Sequence, residues 1–269
     1  MVDVTVEYLD CGTIRNDLNY NVFGRVVATE SDPEPSPQRG DVPCYSLLID
    51  HPEGLILWDT GSHPEAGEGH WPEELYDHMY HYDADTKTVE NAIEEAGYAI
   101  DDVDYVVVSH LHMDHTGGLR HFDGTNVPVY VHKEEIKFAY YSAKTPEGNI
   151  GYVDVDFDRD LNWQVLHRHR ETHFEEFEFV HLPGHTPGLI GGIIEIDGYG
   201  TLVVASDLVN LKRNYEDLEL PGTSHLSSLE DWYDSVRMLK EIERRRDVQT
   251  VLCGHDPEQY ERFSESGWP

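Results

Sequence analysis

The chain has 269 residues, of which 39% are hydrophobic and 27% charged, a composition typical of a globular protein large enough for one sizeable core. No apolar run approaches the roughly 18 residues of a membrane span, so the sequence predicts no transmembrane helix and no membrane partner. With 53 acidic and 19 basic residues the formal net charge is −34, which argues against a nucleic-acid partner because phosphate binding requires lysine and arginine.

The acidic residues are spread along the whole chain, as they are on a solvated surface. They repel one another at low ionic strength, whereas at 1 M salt the Debye length is about 3 Å and most of that repulsion is screened. The charge therefore indicates a halophilic protein. We expect it to be cytoplasmic, because Val2–Tyr8 has a strand pattern rather than that of a signal peptide. Cys11, Cys44 and Cys253 are too few and too widely spaced to predict a disulfide framework.

In chain order, the first half is predicted to contain four strands and then a helix. The strands are expected near residues 2–8, 20–28, 44–50 and 54–58, with a proline-rich loop over 31–37. Val89, Ala92, Ile93 and Ala96 have helical spacing, and Gly97 is placed to end that helix. The following β-branched run, 103–108, is typical of a buried strand.

The second half alternates further strands with one long helix. Residues 142–175 show little periodicity and are predicted to form an irregular segment that shapes a pocket. An apolar stripe over 229–242, opened by Ser227 with Glu230 three residues later in a capping-box pattern, predicts a helix. Strands are expected near residues 127–132, 177–182, 189–196, 201–205 and 248–253. No repeat or long linker divides the chain, so we expect a single α/β domain over residues 1–269.

A dense group of metal-binding side chains follows the strand at 103–108. It contains His110, His112, Asp114 and His115, which are three imidazoles and a carboxylate within six residues. In an extended or turning segment His110 and His112 point the same way, while Asp114 and His115 lie on either side of the next turn. The motif therefore predicts two pairs of ligands that face two neighbouring cations.

Three further polar side chains stand where later apolar strands end. They are His185, in a turn bounded by glycine and proline, Asp207, and His255. Each alone would be read as an ordinary turn residue. Together with the histidine-rich motif they supply five histidines and two aspartates, which is enough for two metals that share a carboxylate.

This set of motifs resembles the metallo-β-lactamase superfamily, over a span from Leu57–Gly61 to Gly254–Asp256. The resemblance implies an αβ/βα four-layer sandwich, in which two mixed sheets pack face to face between outer helices. It implies two divalent cations, zinc first, with iron, manganese and cobalt left open. The ligands that it assigns are His110, His112 and His185 to one metal, Asp114, His115 and His255 to the other, with Asp207 bridging and Asp59 supporting the site from behind.

Within that superfamily, several segments are similar to the N-acyl homoserine lactonases. They are Val42–Ile49, Ala96–Tyr98, Pro183–Gly188 and Gly254–Gln259. The similarity implies a quorum-quenching hydrolase that opens a lactone or related ester by means of a hydroxide bridging two metals, with Asp114 as the proton carrier. The substrate would be a small molecule, and a homodimer is left open.

One position departs from the lactonase pattern. Those enzymes carry a substrate-binding tyrosine three residues after the bridging aspartate, and here that position is Asn210. Its amide can donate a hydrogen bond but has a shorter reach. Tyr215 is the alternative if its loop folds back. Candidates for an acyl-chain pocket are Trp71, Tyr76, Met79, Tyr80, Phe138 and Tyr141.

Other activities share these ligands. A thioester hydrolase of the glyoxalase II type is one alternative, although no basic carboxy-terminal helical domain is present. A phosphodiesterase is another. An iron-dependent redox enzyme such as a persulfide dioxygenase uses only the first set of ligands, whereas both sets are intact here. A diiron oxygen reductase would need a flavin domain, for which the chain has no room.

Overall fold

Two mixed β-sheets form the centre of the molecule. The computed structural model describes residues 4–266, with the side chains of residues 4–264. The first sheet contains β1 (Thr5–Asp17), β2 (Arg39–His51), β3 (Gly54–Trp58), β4 (Tyr80–His81), β5 (Tyr105–Val107), β6 (Pro128–His132) and β7 (Asn162–Leu166). The second contains β8 (Arg170–Phe174), β9 (Phe177–His181), β10 (Ile190–Ile196), β11 (Gly200–Ser206) and β12 (Val248–Cys253).

The strand order of the first sheet is β4-β1-β2-β3-β5-β6-β7, and that of the second is β12-β11-β10-β9-β8. β3, β5, β6 and β7 run parallel, whereas β1, β2 and β4 pair in antiparallel fashion. In the second sheet only β11 and β12 are parallel. Parallel neighbours end at the same edge of a sheet, which places the segments after β3 and β5 side by side.

Helices pack around the two sheets. They are α1 (Leu18–Asn21), α2 (Glu73–His78), α3 (Val89–Glu95), α4 (Met113–Thr116), α5 (Lys133–Lys144), α6 (Asp154–Phe157), α7 (Lys212–Glu216), α8 (Leu229–Arg245) and α9 (Pro257–Ser266). Single 3₁₀ turns occupy Ala66–Glu68, Ile100–Asp102 and Thr223–His225, and a longer one follows α4 at Gly117–Phe122. Among the described helices, none is long and apolar enough to cross a membrane.

Successive side chains of each strand point to opposite faces of its sheet, so one set packs between the sheets and the other packs against the helices. Leu47 and Ile49 point between the sheets, where Trp58 packs against Phe177 and Phe179 from the opposite sheet. The intervening side chains, such as Leu48, point outward toward α3. The outer face of the second sheet packs against α8 through the stripe Trp232, Val236 and Leu239. The order helix, sheet, sheet, helix confirms the expected four-layer sandwich.

Several predicted elements need correction. Residues 20–28 form no strand, because α1 and a series of turns occupy them, and β1 instead continues to Asp17. Its second half pairs with β2 after a bulge between Asp10 and Thr13, where Gly12 has a φ of 93°. Residues 2 and 3 of the first predicted strand lie outside the described residues. The segment 142–175 is not wholly irregular, since it contains α6, β7 and β8.

The long helix begins one residue later than its capping pattern predicted. Ser228 is the N-cap, and its hydroxyl accepts a hydrogen bond from Asp231 N at 3.2 Å. The hydroxyl of Ser227 instead donates to the carbonyl of Gly184 at 3.0 Å, next to His185. Ser227 therefore braces the turn that carries His185. The three cysteines are buried free thiols.

Candidate metal centre

Seven side chains of the types that can bind metals converge at one edge of the sandwich. His110 and His112 follow β5, α4 carries Asp114 and His115, His185 lies between β9 and β10, and Asp207 and His255 follow β11 and β12. Each is at most 8% exposed. These are the seven residues that the sequence predicted to act together, and the structure brings them into two adjacent groups.

The first group consists of His110, His112 and His185. Nε2 of His110 lies 3.0 Å from Nδ1 of His112, and Nε2 of His185 lies 3.2 Å and 2.9 Å from these two atoms. Nitrogen ligands at 2.0–2.1 Å from a tetrahedral zinc ion would be about 3.4 Å apart. The three nitrogens are therefore close to the spacing that one small cation imposes.

The second group consists of Asp114, His115, Asp207 and His255. Nε2 of His255 lies 3.0 Å from Oδ2 of Asp207 and 3.6 Å from Oδ2 of Asp114. Oδ2 of Asp207 also lies 3.8 Å from Nε2 of His185 and 4.0 Å from Nε2 of His110. Asp207 thus stands between the two groups, where a carboxylate can reach a cation in each.

The outward nitrogens of three histidines face hydrogen-bond acceptors. Nδ1 of His185 donates to the carbonyl of His225 at 2.6 Å, and Nδ1 of His255 donates to the carbonyl of Pro43 at 2.8 Å. Nδ1 of His115 faces Oδ2 of Asp59 at 3.0 Å. Because a carbonyl or carboxylate can only accept, it holds the ring proton on the outward nitrogen and leaves the inward Nε2 with a free lone pair.

Three buried atoms of these seven side chains have no hydrogen-bond partner in the described structure. They are Nε2 of His112, Nε2 of His115 and Oδ1 of Asp207. Leaving buried polar atoms unpaired costs about 1–3 kcal/mol each, so a native structure normally supplies a partner. Free lone pairs on histidine and aspartate, arranged in two compact groups, fit a pair of divalent cations.

The two groups differ in their electrostatics. Burial lowers the pKa of His112 and of His185 to about 3 and lowers that of His110 well below its usual value, so the first group consists of neutral imidazoles. Burial also opposes protonation of His115, but Asp114, Asp59 and Asp207 outweigh it and raise the pKa of that ring. The second group therefore attracts positive charge more strongly.

Asp59 sits behind the second group at the end of β3. It adopts a left-handed conformation with a φ of 59°, which is costly for a residue with a side chain. Its Oδ1 accepts from Ser109 N at 2.7 Å, and its Oδ2 accepts from the Ser109 hydroxyl at 2.8 Å as well as from His115. The strained turn thus places one carboxylate where it fixes both His115 and the start of the histidine motif.

A cavity of about 170 Å³ opens beside the two groups. Apolar side chains from β1, β2, α2 and the 142–175 segment line it, including Ile14, Val42, Leu75, Met79 and Ile150. Of the candidates for an acyl-chain pocket, Met79 alone lines this cavity. The expectation that the 142–175 segment shapes a pocket holds at residues 149–151.

The two candidates for the missing tyrosine lie in different places. Asn210 lines the cavity, is fully buried, and has no partner for either atom of its amide. The Tyr215 hydroxyl donates to Oε2 of Glu243 at 2.7 Å on the side of α8, and Lys240 lies 3.6 Å from the centre of its ring. Tyr215 is therefore held away from the centre, and Asn210 is the residue in position.

Sequence reasoning missed His225. The centroid of its ring lies 5.7 Å from the centroid of the His185 ring, and the His225 side chain lines the cavity. Burial lowers its pKa to about 3, so the ring is neutral. A single histidine in a polar loop carries no spacing signal, and only the contact with the neighbouring loop reveals it.

Known proteins share this sequence pattern and this fold. Residues 39–255 match the sequence model of the metallo-beta-lactamase superfamily. The chain is 30% identical over 237 residues to N-acyl homoserine lactonase AttM of Agrobacterium fabrum, covering 84% of this chain and 86% of AttM. It is 28% identical over 264 residues to N-acyl homoserine lactonase AiiB of the same organism, covering 94% and 93%. A solved N-acyl homoserine lactone hydrolase, with the product N-hexanoyl-L-homoserine bound at its catalytic metal center, superposes with a TM-score of 0.79 at 24% identity, over 97% of both chains.

Proposed function

Because this chain belongs to the metallo-beta-lactamase superfamily, we propose that it is a metal-dependent hydrolase that opens the lactone ring of N-acyl homoserine lactones. The observation that carries the proposal is the pair of buried donor groups linked by Asp207 beside an apolar cavity. Two relatives named N-acyl homoserine lactonases, which this chain matches over 84% and 94% of its length, support the choice of substrate.

Two divalent cations, zinc by preference, would occupy the donor groups. His110, His112 and His185 would hold one and Asp114, His115 and His255 the other, with Asp207 shared. When bound, such a pair lowers the pKa of water toward about 7 and polarises a carbonyl oxygen. The residues at the centre are thus arranged for hydrolysis at neutral pH.

The side chains of this chain would then orient the substrate and move its protons. The apolar wall formed by Leu75, Met79 and Ile150 would hold the acyl chain and exclude water. The Asn210 amide would donate to the lactone carbonyl oxygen as negative charge develops on it. In the reaction, water oxygen adds to the carbonyl carbon and the ring C–O bond breaks. Asp114 would accept a proton from the attacking water and deliver it to the departing alkoxide, giving an acyl homoserine.

The test measures metal content and turnover on one preparation purified in molar salt. We expect about two metals per chain and rapid proton release from short- and long-chain N-acyl homoserine lactones. Asp207→Ala should lose both metal and turnover, because it removes the carboxylate that the two groups share. Full turnover in Asp207→Ala would contradict the two-metal centre. Two metals without lactone turnover would contradict the substrate and direct the search to thioesters and phosphodiesters.

A further inference from the structure

Glu135 is a fully buried carboxylate on α5 that has no role in the reaction described above. Four neutral donors converge on it. Its Oε1 accepts from Leu111 N at 2.9 Å and from the Tyr152 hydroxyl at 2.8 Å. Its Oε2 accepts from the Thr186 hydroxyl at 2.6 Å and from Gly188 N at 3.2 Å. Both carboxylate oxygens are therefore fully engaged.

Three of these donors belong to the segments that carry the first group of ligands, and the fourth, Tyr152, contacts one of those ligands. Leu111 separates His110 from His112, and Thr186 directly follows His185. The Tyr152 ring packs against the ring of His112, with 4.6 Å between centroids. One carboxylate thus joins the segments of all three histidines.

The helix and the His185 loop are in direct contact at this point. A Cβ atom at Gly188 would lie 2.0 Å from the backbone nitrogen of Glu135, so only glycine permits this approach. The loop is therefore seated on the start of α5. In contrast, the hydrogen bonds of Glu135 reach none of Asp114, His115, Asp207 and His255.

We propose that Glu135 is a positioning residue that sets the cation affinity of the first group, His110, His112 and His185, while leaving that of the second group unchanged. The inference rests on the proposed metal centre but not on the proposed substrate. Partners that orient metal ligands from behind typically change metal affinity by about 10–100-fold when they are removed.

The substitution Glu135→Gln distinguishes a positioning role of the carboxylate from a role in packing alone, because the amide has nearly the same shape. In Glu135→Gln one oxygen remains an acceptor, and the other is replaced by an NH₂ group. That group must face either Leu111 N and the Tyr152 hydroxyl or the Thr186 hydroxyl and Gly188 N. A hydroxyl can rotate and accept, but a backbone N–H cannot. One of the two ligand segments therefore loses its anchor, although the volume of the side chain is unchanged.

The experiment titrates metal-free protein in molar salt with Zn²⁺ in competition with a chromophoric chelator. Wild type, His185→Ala and His255→Ala provide the two-site and single-group reference curves. Glu134→Gln is the matched control, because it removes the same charge from the adjacent residue, whose partly exposed carboxylate binds Lys137. Thr186→Val is a second probe that removes one donor without introducing another. Thermal unfolding of each metal-free variant is measured in parallel.

We expect Glu135→Gln to bind one Zn²⁺ as the wild type does and the other at least 10-fold more weakly, with a curve that approaches that of His185→Ala. Thr186→Val should shift the same site by a smaller factor, and Glu134→Gln should match the wild type. Two constants within twofold of wild type would overturn the inference. So would an equal loss at both sites, which would show that Glu135 only maintains the fold. If the wild type itself does not bind two Zn²⁺ ions, the metal centre of the proposed function fails first.

Discussion

Replacement of Asp59 by asparagine should weaken metal binding at the second group through a change in the His115 ring. Asp59 accepts from Ser109 N through Oδ1, and from the Ser109 hydroxyl and His115 Nδ1 through Oδ2. The backbone N–H of Ser109 cannot accept, so the amide oxygen of the variant must take the place of Oδ1. The NH₂ group then faces His115, whose proton must move to the inward Nε2.

That proton occupies the nitrogen lone pair that would bind a cation. The cation must displace it, so the metal affinity falls. Loss of an orienting partner of this kind lowers affinity by about 10–100-fold, which corresponds to about 1.4–2.7 kcal/mol. The larger effect should fall on the second group, because Asp59 contacts His115 directly and reaches His110 of the first group only through the Ser109 hydroxyl. Asp59→Asn and Glu135→Gln should therefore weaken opposite sites.

Competition titration of metal-free protein resolves the two binding constants. Asp101→Asn, an exposed aspartate in a 3₁₀ turn, is the matched control for the loss of charge. In Asp59→Asn the second constant should fall by at least 10-fold while the first stays within about twofold. Retention of both constants would refute the argument that Asp59 acts by fixing the His115 proton.

Three further results are expected. Asn210→Ala should keep both metals and lower kcat for lactones by about 100-fold, because it removes one hydrogen-bond donor to the developing oxyanion. Proton release measures kcat, and an unchanged value would show that Asn210 does not contact the substrate. With a net charge of −34, the thermal unfolding midpoint should rise between about 0.1 M and 2 M salt, and a midpoint independent of salt would contradict halophilic adaptation. Burial lowers the pKa of His132 to about 4, below its unfolded value of 6.5, so its contribution to stability is complete above pH 6.5 and is lost as the pH falls toward 4. His132→Asn keeps a side-chain cap for Glu134 N and should reduce the loss of unfolding free energy between pH 7.5 and pH 4.5 by about 3 kcal/mol at most. Denaturant titrations at the two pH values measure this loss, and an unchanged loss would show that His132 is not its source.

The histidine-rich motif could be recognised from sequence because its chemistry is local. Four metal-binding side chains occur within six residues, and a buried strand directly precedes them. His185, Asp207 and His255 are far apart in sequence and were linked by their common position after apolar strands. The fold brings all of them together because those strands end at one edge of the sandwich.

Local sequence patterns do not identify residues whose role depends on contacts with distant parts of the chain. Glu134 and Glu135 look alike in sequence, as two acidic residues in the first turn of a helix. Only the packing of the His185 loop against α5 buries one of them and leaves the other partly exposed. Similarly, the second half of β1 is a strand because it pairs with β2 over 39–43, and a bulge interrupts its alternation. The secondary structure of such segments depends on pairing with distant parts of the chain, so their hydrophobic pattern alone predicts it poorly.

The two sheets contribute different parts of the centre. Asp59, His110 and the α4 residues belong to the first sheet and its connections, whereas His185, Asp207 and His255 come from the second. A complete donor set exists only when the two halves of the sandwich are docked, so the unfolded chain offers cations no comparable site. Binding of the proposed cations would therefore be thermodynamically linked to the association of the halves, and each bound ion would stabilise the native state by RT ln(1 + [M]/Kd). If the proposed cations are bound, we expect a chelator to act as a mild denaturant as well as an inhibitor, because it would remove the ions that join the two halves of the sandwich.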